Sequence, residues 1–405
     1  MSTAGRSSID SLLKYDIIKN IYFEQSISCA DLSDLVGKSI PLVTKAISEL
    51  IETGHIVENG YAASTGGRRP LVYSLKANEI FIVSVAMDQL YTRVTIFDGM
   101  NNQVLPTYTV ELRLLDNKNA LNELIDIINE SIVQAGIDRF KVIGVGIGMP
   151  GFVNSKLGIN YSYLQTPDHD SLRDYLEKAL RLSVYLDNDS SLIALAESKF
   201  GLAKGRKDVM VINIGWGIGL GMIMNGELFR GHNGYAGEFS HIPISDNDET
   251  LCECGKRGCL ETEATLRVVA NKAIQLIHAG KITNLPLKNS AEEMYEVVLV
   301  AANKGDQMAI ELFSDMGYKI GKGISILIHI INPELILLSG RGAAAGKILM
   351  APIQQALNKY CIPRLAEYTD VKVSKLGQDA YSIGVAALVM ENFGTPVFHT
   401  EKQPV

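Results

Sequence analysis

The sequence has few cysteines, no long apolar run and no excess of basic charge. Five cysteines occur among 405 residues, a low and odd number that argues against a disulfide framework. The apolar stretch Ile324–Ile331 contains Ser325 and His329 and is too short to span a bilayer. The first 25 residues carry charges throughout and contain no apolar signal-peptide core. These absences predict a cytoplasmic protein with no membrane partner.

The net charge of −7 is distributed unevenly. Residues 1–78 contain eight Lys and Arg and eight Asp and Glu, whereas the remainder contains 30 basic and 37 acidic residues. A neutral segment with exposed Lys and Arg side chains can contact phosphates, while an acidic body is repelled by them. Any contact with nucleic acid is therefore expected from the first 78 residues.

Three helices are predicted within those first 78 residues. Apolar residues at helical spacing between residues 8 and 24 predict an amphipathic first helix. Ser28 and Asp31 are spaced as in a capping box and predict a short second helix, which Gly37 ends. Ser39 is predicted to cap a third helix, with Pro41 tolerated in its first turn. The expected buried face of the third helix consists of Val43, Ile47, Leu50 and Ile51.

Two β-like runs, Ile56–Glu58 and Leu71–Leu75, follow the helices. Two helices joined by a tight glycine turn and followed by a hairpin predict a winged helix-turn-helix. A small helical protein-interaction domain is the alternative, and the Arg pair in a glycine-rich loop argues against it. The expected DNA contacts are Thr44, Lys45 and Ser48 on the third helix and Arg68 and Arg69 in the loop.

From Phe81 onward the pattern is α/β. Buried apolar runs alternate with helical stretches, and several runs end in glycine clusters at residues 144–148, 215–221 and 340–342. Glycine loops at the ends of buried strands are the usual place for ligands in α/β folds. The apolar runs are Phe81–Val85, Val142–Ile147, Val209–Ile214 and Leu335–Leu338, and the helical stretches are Ala120–Ala135, Leu192–Phe200, Leu266–Ala279 and Met308–Ile331.

Three cysteines lie within eight residues and follow a histidine. Three thiolates and one imidazole are the usual donors of a closed structural Zn²⁺ site. The glycines at 255 and 258 allow the loop to fold back on itself. Buried cysteines without a metal are the alternative, and that role is expected of the isolated Cys29 and Cys361. The predicted zinc ligands are His241, Cys252, Cys254 and Cys259.

With these motifs the chain resembles the ROK family (repressors, open reading frames and sugar kinases), and its loop Ser64–Pro70 resembles that of the family's sugar repressors. The resemblance implies an α/β fold in which an N-terminal winged helix-turn-helix precedes a two-lobed actin-like, hexokinase-like (ribonuclease H-like) body. The expected domains are residues 1–78, 79–190 and 191–405, with the C-terminal helix returning to the first lobe. The matching segments are Gly148–Gly151, Asp187–Ser190, Gly231–His241 and Cys259–Glu261.

The resemblance also implies a sugar pocket. Carboxylates and amides suit the adjacent hydroxyl groups of a pyranose. His241 would bind zinc through one ring nitrogen and a sugar hydroxyl through the other. Asp189 stands where the family's kinases place their catalytic base, and a helix N-cap is its alternative role. The implied sugar ligands are Asn188, Asp189, Glu238, His241 and Glu261.

The chain departs from the family's kinases where these bind ATP. Their first strand is followed by Asp-x-Gly-Gly-Thr, and this chain has Ala86 in place of the Asp. Trp216 replaces the threonine of the second phosphate loop, normally Gly-Thr-Gly. An added carboxylate and bulky side chains oppose the close approach of a triphosphate. Asp88, Gln89 and Leu90 stand in place of Gly-Gly-Thr.

These departures predict a regulator without catalytic activity and without ATP as a cofactor. We expect operator DNA, a sugar or sugar phosphate, and a second or further copy of the chain, in a homodimer or tetramer, as partners. The alternative is an ATP-dependent sugar kinase with an accessory helical domain, which the retained Asp189 favours. A regulator that answers to a protein partner is a third possibility.

Overall fold

The computed structural model describes residues 3–62, 69–115, 117–167, 171–245 and 250–394. Its N-terminal part contains three helices and a three-stranded antiparallel sheet with the strand order β1-β3-β2. The elements are α1 (Thr3–Glu24), β1 (Ile27–Ser28), α2 (Cys29–Val36), α3 (Ile40–Glu52), β2 (Ile56–Tyr61) and β3 (Leu71–Leu75).

The ends of α2 follow the local sequence signals. Ser28 Oγ accepts the Asp31 N–H at 3.2 Å, and Gly37 closes the helix in the left-handed region with φ of 60°. Ser39 is the N-cap of α3, as predicted, although its hydroxyl makes no capping hydrogen bond. Its backbone carbonyl instead accepts the N–H groups of Leu42 and Val43.

The buried face of α3 differs from the prediction at one position. Val43, Ile47 and Leu50 are buried as expected, but Ala46 completes the face and Ile51 is only half-buried. The predicted inert core role of Cys29 is wrong as well. This thiol is half-buried, and its Sγ lies 3.2 Å from Thr44 Oγ1. The two-residue strand β1 was not predicted.

Two five-stranded sheets follow, and they share one strand order. In each sheet the first strand is central, the next two lie on one side, and the last two lie on the other. The first sheet contains β4 (Phe81–Met87), β5 (Tyr91–Asp98), β6 (Tyr108–Glu111), β7 (Val142–Met149) and β10 (Val184–Asn188). The second contains β11 (Val209–Ile214), β12 (Ile218–Met224), β13 (Glu227–Leu228), β14 (Leu335–Ser339) and β15 (Asp370–Val373).

The apolar runs predicted as buried strands are β4, β7, β11 and β14, and their side chains are almost all buried. A two-stranded ribbon is formed by β8 (Val153–Asn154) and β9 (Ile159–Asn160). The helices are α4 (Ala120–Gln134), α5 (Leu172–Leu180), α6 (Asp189–Phe200), α7 (Leu260–Glu263), α8 (Leu266–His278), α9 (Ala291–Asn303), α10 (Gln307–Ile331), α11 (Gly346–Tyr360), α12 (Pro363–Ala366) and α13 (Ala380–Asn392).

The chain divides into two compact units. Met1–Asp187 and Val385–Val405 form the first unit, and Asn188–Gly384 forms the second. Helix α13 begins in the second unit and belongs to the first from Val385 onward. Among the described residues no helix combines the length and hydrophobicity that crossing a membrane requires.

Candidate metal centre and ligand site

The second unit brings the four predicted metal ligands together. The donor atoms of His241, Cys252, Cys254 and Cys259 all lie within 4.8 Å of one another. Cys254 Sγ is 3.7 Å from Cys259 Sγ, and Cys252 Sγ is 3.5 Å from His241 Nδ1. A tetrahedral Zn²⁺ with ordinary bond lengths places its donors about 3.5 to 3.8 Å apart. The donor set and its spacing therefore fit one such ion.

Two glycines allow the cysteine loop, Cys252–Cys259, to turn back on itself. Gly255 and Gly258 have φ of 80° and 75°, a region that other residues rarely adopt. A Cβ at Gly258 would stand 2.1 Å from the Ser245 carbonyl oxygen. The chain at Ile244 instead lies directly against this glycine, with an Ile244 N–H to Gly258 O hydrogen bond of 2.9 Å. The loop thus closes as the glycine spacing predicted.

Burial shapes the chemistry of the thiols. Burial raises the pKa of the Cys259 thiol to about 12, and the neighbouring Cys254 and Cys252 add to the rise. Thiolates crowded together repel one another, and a divalent cation bound among them offsets that repulsion. The site is therefore suited to a cation rather than to three thiolates alone.

His241 faces two partners with its two ring nitrogens. Nδ1 points to Cys252, while Nε2 lies 3.7 Å from Glu238 Oε2. Desolvation by burial raises the pKa of Glu238. Gly237 permits this arrangement, because a Cβ there would stand 2.4 Å from the Leu220 carbonyl oxygen. A cation on Nδ1 would fix the proton on Nε2, next to Glu238.

Glu261 lies on α7 and contacts the start of β12. Its Oε2 accepts the Ile218 N–H at 3.0 Å. Its Oε1 faces Gly217, where an added Cβ would be only 2.9 Å away. Burial raises the pKa of Glu261, and the Ile218 N–H and the nearby His241 act in the opposite direction. The Glu261 carboxylate thus lies directly against the backbone of Gly217 and Ile218.

Asn188 and Asp189 begin α6. The N-cap is Asn188, whose Oδ1 accepts the N–H groups of Ser190 at 3.0 Å and Ser191 at 3.4 Å. The alternative role of Asp189 as the N-cap is therefore wrong. Asp189 Oδ1 accepts the Ser190 N–H at 2.7 Å, and its Oδ2 accepts Asn213 Nδ2 at 3.4 Å.

Asn213, which donates to Asp189, was not predicted from the sequence as a residue of this site. It is the polar residue in the otherwise apolar strand β11, and that interruption was the available signal. Strands β11 and β12 form an antiparallel hairpin, in which Asn213 pairs with Gly219 and Ile214 pairs with Ile218. The partners of Asp189 and Glu261 therefore lie side by side on one hairpin. Of the five predicted sugar ligands, Asp189 and Glu261 each hydrogen-bond to this hairpin.

In the turn after β4, the backbone N–H groups that could bind an anion already donate to a side chain of the turn. Asp88 Oδ1 accepts the backbone N–H groups of Leu90 at 2.9 Å and Tyr91 at 2.7 Å. Asp88 Oδ2 is 3.6 Å from Arg93. Gln89 Nε2 donates to the Tyr163 hydroxyl at 3.1 Å. The amides that could hold a phosphate thus already bind a carboxylate of the chain.

Two other kinase-site departures are apolar. Ala86 is buried within β4 and pairs with Arg93 on β5 and with Gly148 on β7. Trp216 is half-buried and packs against the hydrophobic core of the second unit. Its indole therefore stabilises the core at the position where the kinase pattern has a hydroxyl group.

The predicted DNA-contacting residues on α3 are all exposed. The Thr44 and Ser48 hydroxyls donate to the carbonyls one turn earlier, at 2.8 and 3.0 Å, and their oxygens retain acceptor capacity. Lys45 Nζ lies 3.7 Å from Glu49 Oε1. Arg69 is exposed, and Arg68 lies outside the described residues.

Relatives along nearly the whole chain are named as regulators. The putative xylose repressor of Caldicellulosiruptor sp. (strain Rt8B.4) is 28% identical over 95% of this chain and 96% of its own length. The DNA-binding transcriptional dual regulator NagC of Escherichia coli (strain K12) is 29% identical over 94% and 92%. A crystal structure of a ROK family transcriptional regulator, a homolog of the E. coli MLC protein, covers 95% of this chain and 97% of its own, with a TM-score of 0.75 and 27% identity.

A glucokinase is also similar, over a shorter stretch. The enzyme of Halalkalibacterium halodurans is 34% identical over 62% of this chain and 78% of its own length. The profile of the ROK family matches residues 94–392, which is more than half of the chain. The predicted α/β, actin-like and hexokinase-like fold and the predicted family are confirmed by these likenesses. The chain belongs to the ROK family.

Proposed function

We propose that this protein is a sugar-responsive, DNA-binding transcription regulator that represses genes of carbohydrate metabolism. The observation that carries the proposal is the extent of the likeness to regulators. It covers 95% of the chain and so reaches into the N-terminal helices, whereas the glucokinase likeness covers 62%. Those helices present an exposed polar face on α3, and a repressor needs such an element.

The N-terminal 78 residues would act as a winged helix-turn-helix. A dimer, or a dimer within a tetramer, would place two copies of α3 in successive major grooves about one helical turn apart. Thr44, Lys45 and Ser48 would face bases or phosphates. Arg68 and Arg69 would lie in or beside a minor groove, where narrow A·T-rich geometry attracts guanidinium groups.

The effector would be a sugar or sugar phosphate bound in the second unit. Carboxylates and amides can each satisfy two neighbouring hydroxyl groups, and the five predicted sugar ligands supply both kinds of group. A structural Zn²⁺ on Cys252, Cys254, Cys259 and His241 Nδ1 would cross-link the loop and fix the imidazole. His241 Nε2–H would then point toward Glu238 and donate to a sugar hydroxyl. Binding would favour one of two conformations of the body with different DNA affinities.

Glu238→Ala tests the effector site. We expect the sugar affinity to fall about tenfold to a hundredfold, because the lost carboxylate leaves hydroxyl groups of the sugar without partners. Operator affinity in the absence of sugar should not change. Calorimetric titration with a panel of sugars and sugar phosphates measures the first quantity, and fluorescence anisotropy with operator DNA measures the second.

Lys45→Ala is the matched control, with operator affinity lowered and sugar affinity kept. If Glu238→Ala responds to every carbohydrate as the wild type does, these residues do not bind the effector. A protein partner then becomes the better candidate for the signal.

We also expect no sugar kinase activity. Positioning supplies most of the catalysis of phosphoryl transfer, and Asp88 occupies the turn that would position the phosphates. Asp189 alone would be a base without a held nucleotide. A coupled assay with ATP and the same sugar panel checks this, with the H. halodurans glucokinase as a positive control. Steady turnover at about 1–100 s⁻¹ would establish the kinase alternative instead.

A further inference from the structure

The four-residue helix α7 depends on its two ends for its position. A single helical turn fixes several backbone dihedrals in return for few hydrogen bonds, so a helix this short has little stability of its own. Its first residue, Leu260, follows the metal-ligand candidate Cys259 and donates its N–H to the Ile242 carbonyl at 3.1 Å. Its last residue is Glu263. Glu261 lies between these ends, so both determine where its carboxylate stands.

The far end of α7 is held from the long helix α10. Lys319 Nζ lies 2.7 Å from Glu263 Oε2, and the two side chains are only 21% and 9% exposed. Ser245 Oγ, on the segment that packs against Gly258, donates to Glu263 Oε1 at 3.3 Å. Removing one partner of so shielded an ion pair leaves the other charge buried, which is strongly unfavourable.

A second lysine of α10 holds the other side of the cysteine loop. Lys322 follows Lys319 by three residues, so the two side chains share one face of the helix. Lys322 Nζ donates to the Ile244 carbonyl, and the Ile244 N–H donates to Gly258 O. Helix α10 thus contacts both the segment that enters the loop and the short helix that leaves it.

We infer that Lys319 is a positioning residue for the candidate site. Through Glu263 it fixes α7, and α7 places Cys259 toward the metal and Glu261 toward the sugar. The part that concerns Glu261 rests on the proposed function, whereas the part that concerns Cys259 rests on the donor geometry alone. Lys319 also pairs with Asp315 at 3.1 Å, which balances its charge when Glu263 is replaced.

The test uses the full-length protein loaded with Co²⁺, which reports thiolate ligation by its visible spectrum. In Lys319→Met we expect cobalt transfer to a chelator to be about tenfold faster and the thiolate-to-cobalt band to be weaker. Lys319→Arg should restore both values, because a guanidinium can pair with the same carboxylates. A loss of thermal stability alone would not change the spectrum in this way.

Lys272→Met is the matched control. Lys272 pairs with the same Asp315 at 2.9 Å, but among the described ion pairs it does not share Glu263. It should therefore behave as the wild type does. If Lys319→Met does not fold, Glu263→Gln provides the same measurement with the hydrogen bond kept and the charge removed. Wild-type cobalt release and a wild-type spectrum in the variant that folds would overturn the inference.

Sugar titration of the same variants separates this inference from the proposed function. Lys319→Met should lower the affinity for any sugar that binds the wild type, by about tenfold. If the wild type binds no sugar while cobalt release still accelerates, the proposed effector site is wrong and the positioning role at Cys259 stands. If sugar binds the wild type and Lys319→Met with equal affinity and cobalt release is unchanged, the positioning role is wrong.

Discussion

Replacing Lys45 by glutamate should weaken operator binding by about a hundredfold at physiological salt. The side chain is 69% exposed. Its only described ion pair, with Glu49 at 3.7 Å, is solvent-exposed and therefore too weak to prevent Lys45 from binding a phosphate. The change sets a carboxylate against the DNA backbone, and in a dimer it does so at both half-sites. Fluorescence anisotropy across a salt series should also give a plot of log affinity against log salt that is less steep by about two.

Lys288→Glu provides the matched control for this prediction. It makes the same change in net charge at an exposed position of the second unit, and operator affinity should stay within experimental error of the wild type. Thr44→Ala should instead alter the preference among operator sequences with a smaller loss of affinity. If Lys45→Glu binds operator as tightly as the wild type does, α3 is not the element that enters the groove.

The N-terminal elements were predictable where the signals are local. Ser28 and Gly37 determine the ends of α2 by contacts with their own neighbours, so the sequence alone reveals them. The buried face of α3 was less predictable, because its packing against α1, α2 and β2 decides which of its side chains are covered. Two residues of β1 are too few to show an alternating pattern, and their pairing partner Val72–Tyr73 is distant in sequence.

The candidate site, too, was predictable only where its signals are local in sequence. The cysteine loop was predicted because its three thiols lie within eight residues and glycines separate them. Asn213 was missed because it lies 24 residues from its partner Asp189, and the contact arises only where the start of α6 packs against β11. The Lys319–Glu263 pair spans 56 residues and follows from helix packing that no local pattern encodes.

The departures at Asp88 show what spacing alone leaves out. The sequence indicated that a carboxylate there would repel a triphosphate. In the structure the same carboxylate also accepts hydrogen bonds from the Leu90 and Tyr91 N–H groups, which are the groups in this turn that could bind a phosphate. The second effect adds to simple repulsion, because a nucleotide would have to displace two existing hydrogen bonds.

Cys254→Ser should reduce the metal content from one ion per chain to nearly none and lower sugar affinity by about a hundredfold. Hydroxyl is a poor zinc ligand compared with thiolate, and three remaining donors leave the tetrahedron open. Cys254 is exposed, whereas Cys252 and Cys259 are buried, so this change disturbs packing least. Elemental analysis of the purified protein and calorimetric sugar titration measure the two effects.

Cys361→Ala separates loss of the metal from the mere loss of one cysteine of the second unit. Cys361 lies in the hydrophobic core of the second unit and is not among the four candidate ligands, so this variant should keep one ion per chain and its sugar affinity. Cys254→Ser should also keep its operator affinity without sugar, because Thr44, Lys45 and Ser48 belong to the first unit. A Cys254→Ser protein that retains stoichiometric metal would exclude this ligand set. One that loses the metal but binds sugar normally would show that His241 and Glu261 hold their positions through α10 and the β11–β12 hairpin alone.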